Sequence, residues 1–508
     1  MRHSHYLDVW DMVILAIYLL ASMGVGLAFS SRQKNLKTFL LANHQIHWSL
    51  VGISVLSGLF SGASFLGAPA EAFGHNLIFL WEVLAFFIAT PITACIFVPL
   101  FYSANIYTAY EYLEQRFDLR IRLISSALFI FRVVLWVAIV LYAPSLAIQE
   151  VTGWPLWVSV LVMGFCTTLY TSLGGIKAVI YTDVLQFGVM IGGITAIAWQ
   201  AVRQIPGGLA GAWALGGDGH TQFIDLRLDP TIRMTLWGAL FGGAALGLVQ
   251  MVTDQISVQR YLTATSMRAS QRALWLKLVL IVPFASIFYL LGIILYAFYK
   301  THPELLTTLS QPDRILPHFV VQQLPAPFSD LLVAALFAAT MSAASSGINA
   351  LTTATLKDFI QRLGRMENKD VDARGEVRKA KFISMAYGLL CTGLGMIIGN
   401  LGTIVEASAK IMGICGGALL GVFFLAGLSK RVNGTGALIG GVLGTAVVLL
   451  VACCTRVSFV WYALIGAAST YLLGEAAAIF LRPPSIKQQT LVYALARKEA
   501  ELLPTRNK

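Results

Sequence analysis

Residues 54–69 read SVLSGLFSGASFLGAP, an apolar stretch whose small residues run from Ser57 to Gly62. A second apolar stretch, GALFGGAALGLVQ at 238–250, includes Gly242, Gly243 and Gly247 in its middle. Small residues inside an apolar helix either permit close helix packing or mark the point where the helix breaks. A break frees backbone carbonyls, and these can ligate a cation where they line a cavity. The two stretches together predict a pair of broken helices.

The composition is that of a membrane protein. Of the 508 residues, 57% are hydrophobic and 12% are charged, and the mean hydropathy is +0.74. A soluble domain carries roughly 25% charged residues. The low charge and the long apolar runs exclude a soluble globular protein, a disordered chain and a disulfide-stapled secreted domain. The short alternating segments of a transmembrane barrel are missing. We therefore predict an all-α polytopic membrane protein.

Apolar runs between charged or Gly/Pro-rich breaks predict about thirteen transmembrane helices. In chain order, spans 1 to 13 cover residues 9–30, 48–73, 77–103, 121–148, 154–173, 179–202, 233–258, 271–299, 328–353, 380–400, 402–428, 434–455 and 458–481. They form one transmembrane domain at 1–481, followed by a cytoplasmic tail at 482–508. The first run is too long and wrongly flanked for a cleaved signal peptide, so we expect it to stay. The two small-residue stretches lie in spans 2 and 7, five spans apart, as in a five-plus-five inverted repeat.

The basic residues predict the orientation in the lipid bilayer. The loops after the odd-numbered spans up to span 11, together with the tail, hold 27 of the 36 Lys and Arg residues, and the opposite side holds seven. Cytoplasmic loops carry the excess of positive charge. The N-terminus is therefore expected outside and the C-terminus in the cytoplasm, in a plasma membrane or bacterial inner membrane. The net charge of +11 is assigned to these loops and not to a nucleic-acid partner.

Polar residues in two spans indicate a cation site. Asp183 lies in span 6, where an unpaired carboxylate would be costly and a bound cation would keep it charged. In span 9, Ser342, Ser345 and Ser346 follow the i, i+3, i+4 spacing and share one helix face. Carboxylate, hydroxyl and carbonyl oxygens are hard ligands suited to an alkali cation. Further ionisable groups at membrane depth are Glu82, Arg132, Asp254 and Lys410.

Three motifs resemble those of the sodium/solute symporter family: GGIKAVIYTDVLQ at 174–186, VQRYL at 258–262 and MSAASS at 341–346. The resemblance runs over nearly the whole chain. It implies a leucine-transporter-type core with inverted repeats at about 48–202 and 233–428. LYAPSLAIQEVTGW and SSGINALTTATLKDF resemble the branch that carries monocarboxylates, vitamins and iodide, whereas YTAYEYLEQRFDLRIRL is similar to bacterial sialic acid symporters.

The resemblance also implies two sodium sites. The shared site would use the carbonyls of Ser57, Phe60 and Ala339 and the hydroxyl of Ser342. The next position is Ser or Thr in the family and Ala343 here, so one hydroxyl ligand is missing. The second site, present in some members, matches three residues of this chain: Asp183, Ser345 and Ser346. The second site thus looks complete while the shared site lacks a ligand.

The implied substrate cavity lies between spans 2, 3, 4, 7 and 11. Its candidate residues are Ser61, Ser64, Glu82, Trp136 and Asp254. In sialic acid symporters an arginine on span 4 pairs with the substrate carboxylate, and the alignment places Trp136 there, with Arg132 one turn earlier. Which of these two residues faces the cavity stays open. An alternative role for Glu82 is a structural ion pair with Arg132.

These observations predict a sodium-coupled symporter that imports a small organic solute by alternating access. The solute is expected to be hydroxylated or carboxylated, such as a sugar, sialic acid or a monocarboxylate. No cofactor is expected besides Na⁺ as the coupling ion. The motifs HExxH and GxSxG are missing, which argues against an enzyme. Two alternatives remain open: a proton-coupled carrier using Asp183, and a transporter-like membrane sensor acting with a separate signalling partner.

Overall fold

The computed structural model describes residues 9–30, 33, 35–306, 314–324, 326–364, 373–398 and 404–492. The α-helices of the first part of the chain are α1 (Val9–Ser30), α2 (Leu36–Leu41), α3 (Trp48–Leu59), α4 (Gly62–Gly74), α5 (Leu80–Leu84), α6 (Phe86–Ile92), α7 (Val98–Ala104), α8 (Ala109–Arg116), α9 (Leu119–Thr152), α10 (Leu156–Arg203) and α11 (Gly208–His220). Those of the second part are α12 (Gly243–Leu248), α13 (Gln255–Leu262), α14 (Met267–Thr301), α15 (Ile315–Gln323), α16 (Ala326–Ala354), α17 (Ala373–Ile397), α18 (Ile404–Leu428), α19 (Gly434–Cys454), α20 (Tyr462–Ala478) and α21 (Ile486–Gln489). π-Helical turns occupy Thr93–Phe97, Gly238–Gly242, Val249–Thr253 and Thr355–Gln361. Within these ranges the β pairing is a single bridge between Ile46 and Ala264.

Helices overlap all thirteen predicted spans, and the prediction of an all-helical membrane protein is confirmed. By length and apolar character, seven of the described helices are able to cross a membrane, or up to nine when each bent pair counts as one span. The described apolar parts of α1 and α18 are shorter than that test requires, as are the 17 residues of α20. The count of thirteen spans therefore stays a prediction.

The first predicted helix break is present in the small-residue stretch of span 2. Helices α3 and α4 meet at an angle of 64°, and Phe60 between them has extended backbone angles (φ −94°, ψ 104°). The hydroxyl of Ser61 then caps α4 by accepting the backbone N–H of Ser64 at 3.4 Å. A Cβ at Gly62 would lie 2.3 Å from the Pro144 ring, so the chain approaches α9 closely only because this residue is glycine.

The second break is also present, but it lies beyond the glycines that suggested it. The Gly238–Thr253 helix and α13 meet at 57°, and the extended residue between them is Asp254 (φ −90°, ψ 115°). The glycines instead allow close packing of neighbouring segments: a Cβ at Gly242 would lie 2.4 Å from the carbonyl oxygen of Val460. In span 7 the small residues therefore allow close helix packing. The helix breaks at Asp254, which caps the next helix.

The chain turns between predicted spans 5 and 6 at a single glycine. Helix α10 covers both spans in 48 residues, and Gly175 interrupts it with φ +61° and ψ −161°. A side chain there would be strained, and its Cβ would lie 2.6 Å from the carbonyl oxygen of Phe39. The second part of α10 carries Asp183 into the centre of the helix bundle.

An extended loop between α11 and the Gly238–Thr253 helix packs against α5. The indole of Trp81 donates to the carbonyl oxygen of Phe223 at 2.7 Å, and the two rings are in tilted contact with centroids 4.9 Å apart. Within the loop, hydrogen bonds from Arg227 hold the pKa of Asp225 below its ordinary value. The loop thereby fixes the short helix that carries Glu82.

Four basic residues that were counted on the predicted cytoplasmic side, in loops or at the ends of spans, are buried: Arg116, Arg122, Arg260 and Lys277. Arg116 donates to the carbonyl oxygen of Ser429 at 2.5 Å, and the Lys277 ammonium lies 3.1 Å from the ring centroid of Phe86. Without the four, 23 of the 27 basic residues remain on the predicted cytoplasmic side against seven on the other. The excess of basic residues on the predicted cytoplasmic side therefore remains, even though these four are core residues.

Arg122 organises an ion-pair network at one end of the bundle. Its guanidinium contacts Glu114 at 2.7 Å, Asp358 at 2.8 Å and Glu111 at 3.2 Å. Asp358 lies in the π-helical turn that continues α16 and is fully buried. The network therefore ties α8, α9 and α16 together.

Replacing Arg122 with Gln leaves buried carboxylates without a counter-charge, so we expect a loss of stability of about 3–5 kcal/mol. The matched control is Arg120→Gln, since this guanidinium is largely exposed and pairs with Asp118 alone; its loss should cost about 0–1 kcal/mol. Thermal melting of the purified variants measures both effects. Equal melting temperatures would show that the network does not stabilise the bundle.

Candidate functional site

The carboxylate of Asp183 is the centre of the candidate ion site. It accepts hydrogen bonds from the hydroxyls of Ser54 at 2.5 Å and Ser342 at 2.7 Å. Ser57 and Ser342 lie with their hydroxyl oxygens 2.8 Å apart. Three helices, α3, α10 and α16, therefore meet through these side chains. None of the four is exposed.

Ser345 and Ser346 lie beside this cluster on α16, as the helical spacing predicts. Both hydroxyls donate to the backbone carbonyl oxygen of Ser342, that of Ser345 at 3.0 Å. Neither hydrogen-bonds directly to Asp183. The structure thus brings the three residues of the predicted second sodium site into one buried cluster, with the serine oxygens available as acceptors.

A residue that the sequence analysis did not place here, Arg260, occupies the middle of the cluster. Its Nη2 lies 3.0 Å from Asp183 Oδ2 and also donates to the Ser346 hydroxyl. Its Nε donates to Ser54 at 2.9 Å, and its Nη1 to the carbonyl oxygen of Ile256 at 2.8 Å. Since the guanidinium is 1% exposed, the pair with Asp183 is a buried ion pair.

The residues of the predicted shared sodium site lie at the first helix break. Ser57 is in the last turn of α3, Phe60 is at the break, and Ala339 is fully buried one turn before Ser342 on α16. The structure brings Ser57 and Ser342 into contact and gives the two other residues no specific polar role. Beside the break, the buried hydroxyl of Thr340 has no hydrogen-bond partner among the described residues, so it is a further oxygen that the sequence analysis missed.

A cavity of about 160 Å³ opens between the two broken helices. All five predicted substrate residues line it: Ser61, Ser64, Glu82, Trp136 and Asp254. Among the lining residues that the sequence analysis missed are Gln250, Ser257 and Met412. Gln250 and Ser257 add polar groups from the helices on both sides of the second break.

Glu82 lies where this cavity meets a second one of similar volume. The second cavity shares Ser64 and Glu82 with the first and is also lined by Glu71 and Tyr289. Glu71 pairs with Arg233 at 2.8 Å. The side-chain carboxylate of Glu82 has no hydrogen-bond or ion-pair partner among the described residues, and its backbone N–H donates to the carbonyl oxygen of Phe79. The carboxylate of Glu82 is therefore free to meet a solute.

Arg132 pairs with Asp254 and not with Glu82. Its Nη2 lies 2.7 Å from Asp254 Oδ2, and its Nη1 lies 3.1 Å from the sulfur of Met412. The alternative of a structural Glu82–Arg132 pair is thus wrong, because Asp254 at the second break lies closer to α9. Trp136 lines the cavity itself, and Arg132 lies behind Asp254 and Met412.

No group of three or more His, Cys, Asp or Glu side chains that could hold a metal ion is found in the described part of the chain. The oxygens around Asp183 are instead one carboxylate and several hydroxyls. This donor set suits a monovalent cation better than a transition metal.

Comparisons with known proteins agree with this geometry. A family model described as the sodium:solute symporter family matches residues 39–444. The sodium-coupled monocarboxylate transporter 1 of Homo sapiens is 33% identical over 87% of this chain and 73% of its own length. The sodium-dependent multivitamin transporter of Oryctolagus cuniculus is 34% identical over 85% of this chain and 69% of its own.

Among solved structures, a substrate-bound, outward-open Na⁺-coupled sialic acid symporter is similar with a TM-score of 0.88 and 27% identity, over 94% of this chain and 99% of that one. A nucleobase-cation-symport-1 family transporter in a closed conformation is similar with a TM-score of 0.58 and 16% identity, over 90% of this chain and 98% of the other. The second likeness concerns the fold alone.

Replacing Asp183 with Asn would leave Arg260 buried without a counter-charge, and we expect a destabilisation of about 3–5 kcal/mol in sodium-free buffer. Ser345→Ala is the matched control, because its hydroxyl bonds only a backbone carbonyl and its loss should cost about 1 kcal/mol. Thermal melting in choline chloride measures both. Similar melting temperatures for the two variants would contradict a central role for the Asp183 charge.

Proposed function

Because this chain belongs to the sodium:solute symporter family, we propose that it imports a small organic solute together with sodium by alternating access. The observation that carries the proposal is the position of the cavity. It lies between two broken helices, and the same α3 that ends at the cavity also carries Ser54 to Asp183 and Ser57 to Ser342. Sodium and solute would therefore bind at adjacent sites on shared helices.

The proposed sodium sites are those expected from the sequence. The carbonyls of Ser57, Phe60 and Ala339 and the hydroxyl of Ser342 would form the shared site. Asp183, Ser345 and Ser346 would form the second. The convergence of Ser57, Ser342 and Asp183 within hydrogen-bonding distance supports both, because hard oxygens from three helices meet at one point. Sodium is the transported ion here and not a resident cofactor.

The proposed substrate is a hydroxylated or carboxylated organic solute. Glu82 lacks a partner in the described structure and would accept hydrogen bonds from hydroxyl groups, and Trp136 offers an apolar face to ring C–H groups. Asp254 is neutralised by Arg132, so Glu82 leaves the cavity with negative charge that repels a halide. A cavity of 160 Å³ is comparable with one of about 150 Å³ that admits benzene, which suits a monosaccharide or a short monocarboxylate.

The names of the relatives widen this choice. Two are transporters of monocarboxylates and of vitamins, and the solved neighbour is a sialic acid symporter. A carboxylate on the solute would need a cation, and Arg132 lies just behind Asp254 and Met412 at the cavity wall. A sugar, sialic acid and a monocarboxylate are therefore the candidate substrates.

The finer architecture belongs to the same proposal. Thirteen transmembrane helices would include inverted repeats at about 48–202 and 233–428. The support is that each repeat begins with a bent helix pair, α3–α4 in one and Gly238–Thr253 with α13 in the other. We place the N-terminus outside and the C-terminus in the cytoplasm of a plasma or bacterial inner membrane, on the distribution of the basic residues along the sequence.

Sodium-dependent uptake is the first test. In proteoliposomes, an inward sodium gradient should drive accumulation of one solute from a panel of glucose, sialic acid and lactate, and choline should abolish it. An inward proton gradient should not substitute, because Asp183 is held charged by Arg260 and two hydroxyls. Uptake driven by protons in choline would instead support the proton-coupled alternative.

Replacing Glu82 with Gln tests the substrate site. We expect uptake of the transported solute to fall by about tenfold or more, as when a hydrogen bond to a charged group is lost, while the sodium dependence stays. Glu150→Gln is the matched control, since that carboxylate is exposed near the end of α9 and outside both cavities. Equal uptake by the two variants, or robust iodide transport by the unmodified protein, would overturn this substrate assignment.

A further inference from the structure

The short helix α13 touches both candidate sites. All eight of its residues are buried. At its first turn, Asp254 caps the helix by accepting the backbone N–H of Ile256 at 2.9 Å, and Asp254, Ile256 and Ser257 line the solute cavity. At its last turn, Arg260 enters the ion site. One rigid element of two turns therefore connects the solute cavity to Asp183.

The guanidinium of Arg260 and a sodium ion in the second site would use the same ligands. Nη2 of Arg260 contacts the Oδ2 atom of Asp183 and the hydroxyl of Ser346, both of which belong to the predicted sodium site. Two cations cannot share one buried carboxylate without strong repulsion, because the interior screens charge weakly. Binding of sodium there requires the guanidinium to leave or to withdraw.

We propose that Arg260 is a tethered cation that occupies the second sodium site until sodium replaces it, and that its release frees α13 and reshapes the wall of the solute cavity. The inference rests on the proposed sodium-coupled function and assigns the regulation of its second ion site. It makes sodium binding a competition within the protein, and it gives the ion a physical connection to the solute.

The shape of arginine suits this role. Its fork holds four partners at once: Nε bonds Ser54 on α3, Nη1 bonds the carbonyl of Ile256 within α13, and Nη2 bonds both Asp183 on α10 and Ser346 on α16. A lysine ammonium could not span these positions. While the fork is in place, α13 is held against both α3 and α10.

Release of the Arg260 guanidinium would change the position of groups at the other end of α13. Asp254 there is paired with Arg132 of α9 at 2.7 Å, and Ser257 faces the cavity. Any shift of α13 displaces these groups relative to Trp136, which stays on α9. Sodium would thereby alter solute affinity without touching the solute.

The experiment compares sodium-induced thermal stabilisation of the purified protein in sodium chloride and choline chloride mixtures of constant ionic strength. In Arg260→Gln the competing guanidinium is gone, and Asp183 needs sodium as its partner. The sodium concentration that gives half of the maximal stabilisation should therefore fall by about tenfold, a size usual for coupled sites. Addition of Asp183→Asn should abolish that gain. Arg116→Gln is the control: it removes another buried guanidinium, one that bonds a backbone carbonyl, and should leave the sodium response unchanged.

Unchanged or weaker sodium stabilisation in a folded Arg260→Gln protein would overturn the inference, while sodium-dependent uptake by the unmodified protein would still stand. A protein that shows neither sodium uptake nor sodium stabilisation would overturn the proposed function itself. If Arg260→Gln does not fold, Ser257→Cys replaces it, in a chain whose exposed thiols are removed by Cys95→Ser, Cys453→Ser and Cys454→Ser. Its thiol labelling rate should change with sodium, and an identical rate in sodium and choline would also overturn the inference.

Discussion

The carboxylate of Asp183 needs a positive charge beside it, and much of the core is arranged around that need. It lies fully buried between helices that cross a membrane, where an unpaired charge is costly. Arg260 supplies one solution within the protein, and a bound sodium ion would supply another. Arg260 contacts Asp183 and Ser346, and the proposed sodium site uses the same two residues, so under the proposal the site would hold one cation or the other. Helix α13, which carries Arg260, also lines the candidate cavity.

The two helix breaks make the connection possible. A continuous helix hydrogen-bonds its own backbone groups and presents only side chains. Where a helix breaks within the membrane, the freed backbone N–H and C=O groups need a capping side chain or a ligand. Ser61 caps α4 and Asp254 caps α13, and both caps face the cavity. The residues that repair the backbone are therefore also those that a solute would meet. This double use of the capping side chains explains why polar residues cluster where the helices bend.

The sequence predicts the all-helical class, the family and five of the residues that line the cavity, because apolar runs, motif identity and helical spacing are local properties. It does not locate the second break, since the glycines of span 7 serve close packing and give the same signal as a break. Arg260 was assigned to a cytoplasmic loop, because its position near the end of span 7 does not reveal that the helix bends inward there. The Arg132–Asp254 pair depends likewise on the rotation of α9, which no local pattern sets. These are long-range contacts, and they decide the chemistry of the site.

Reciprocal coupling of the two ligands tests the central claim most directly. Calorimetric titration of the purified protein would give the solute dissociation constant with and without sodium, and the sodium dissociation constant with and without the solute. If the ion site and the cavity are connected as described, both constants fall by the same factor, as linkage requires. A solute affinity that is identical in sodium and in choline would contradict the account, because the two sites would then be independent.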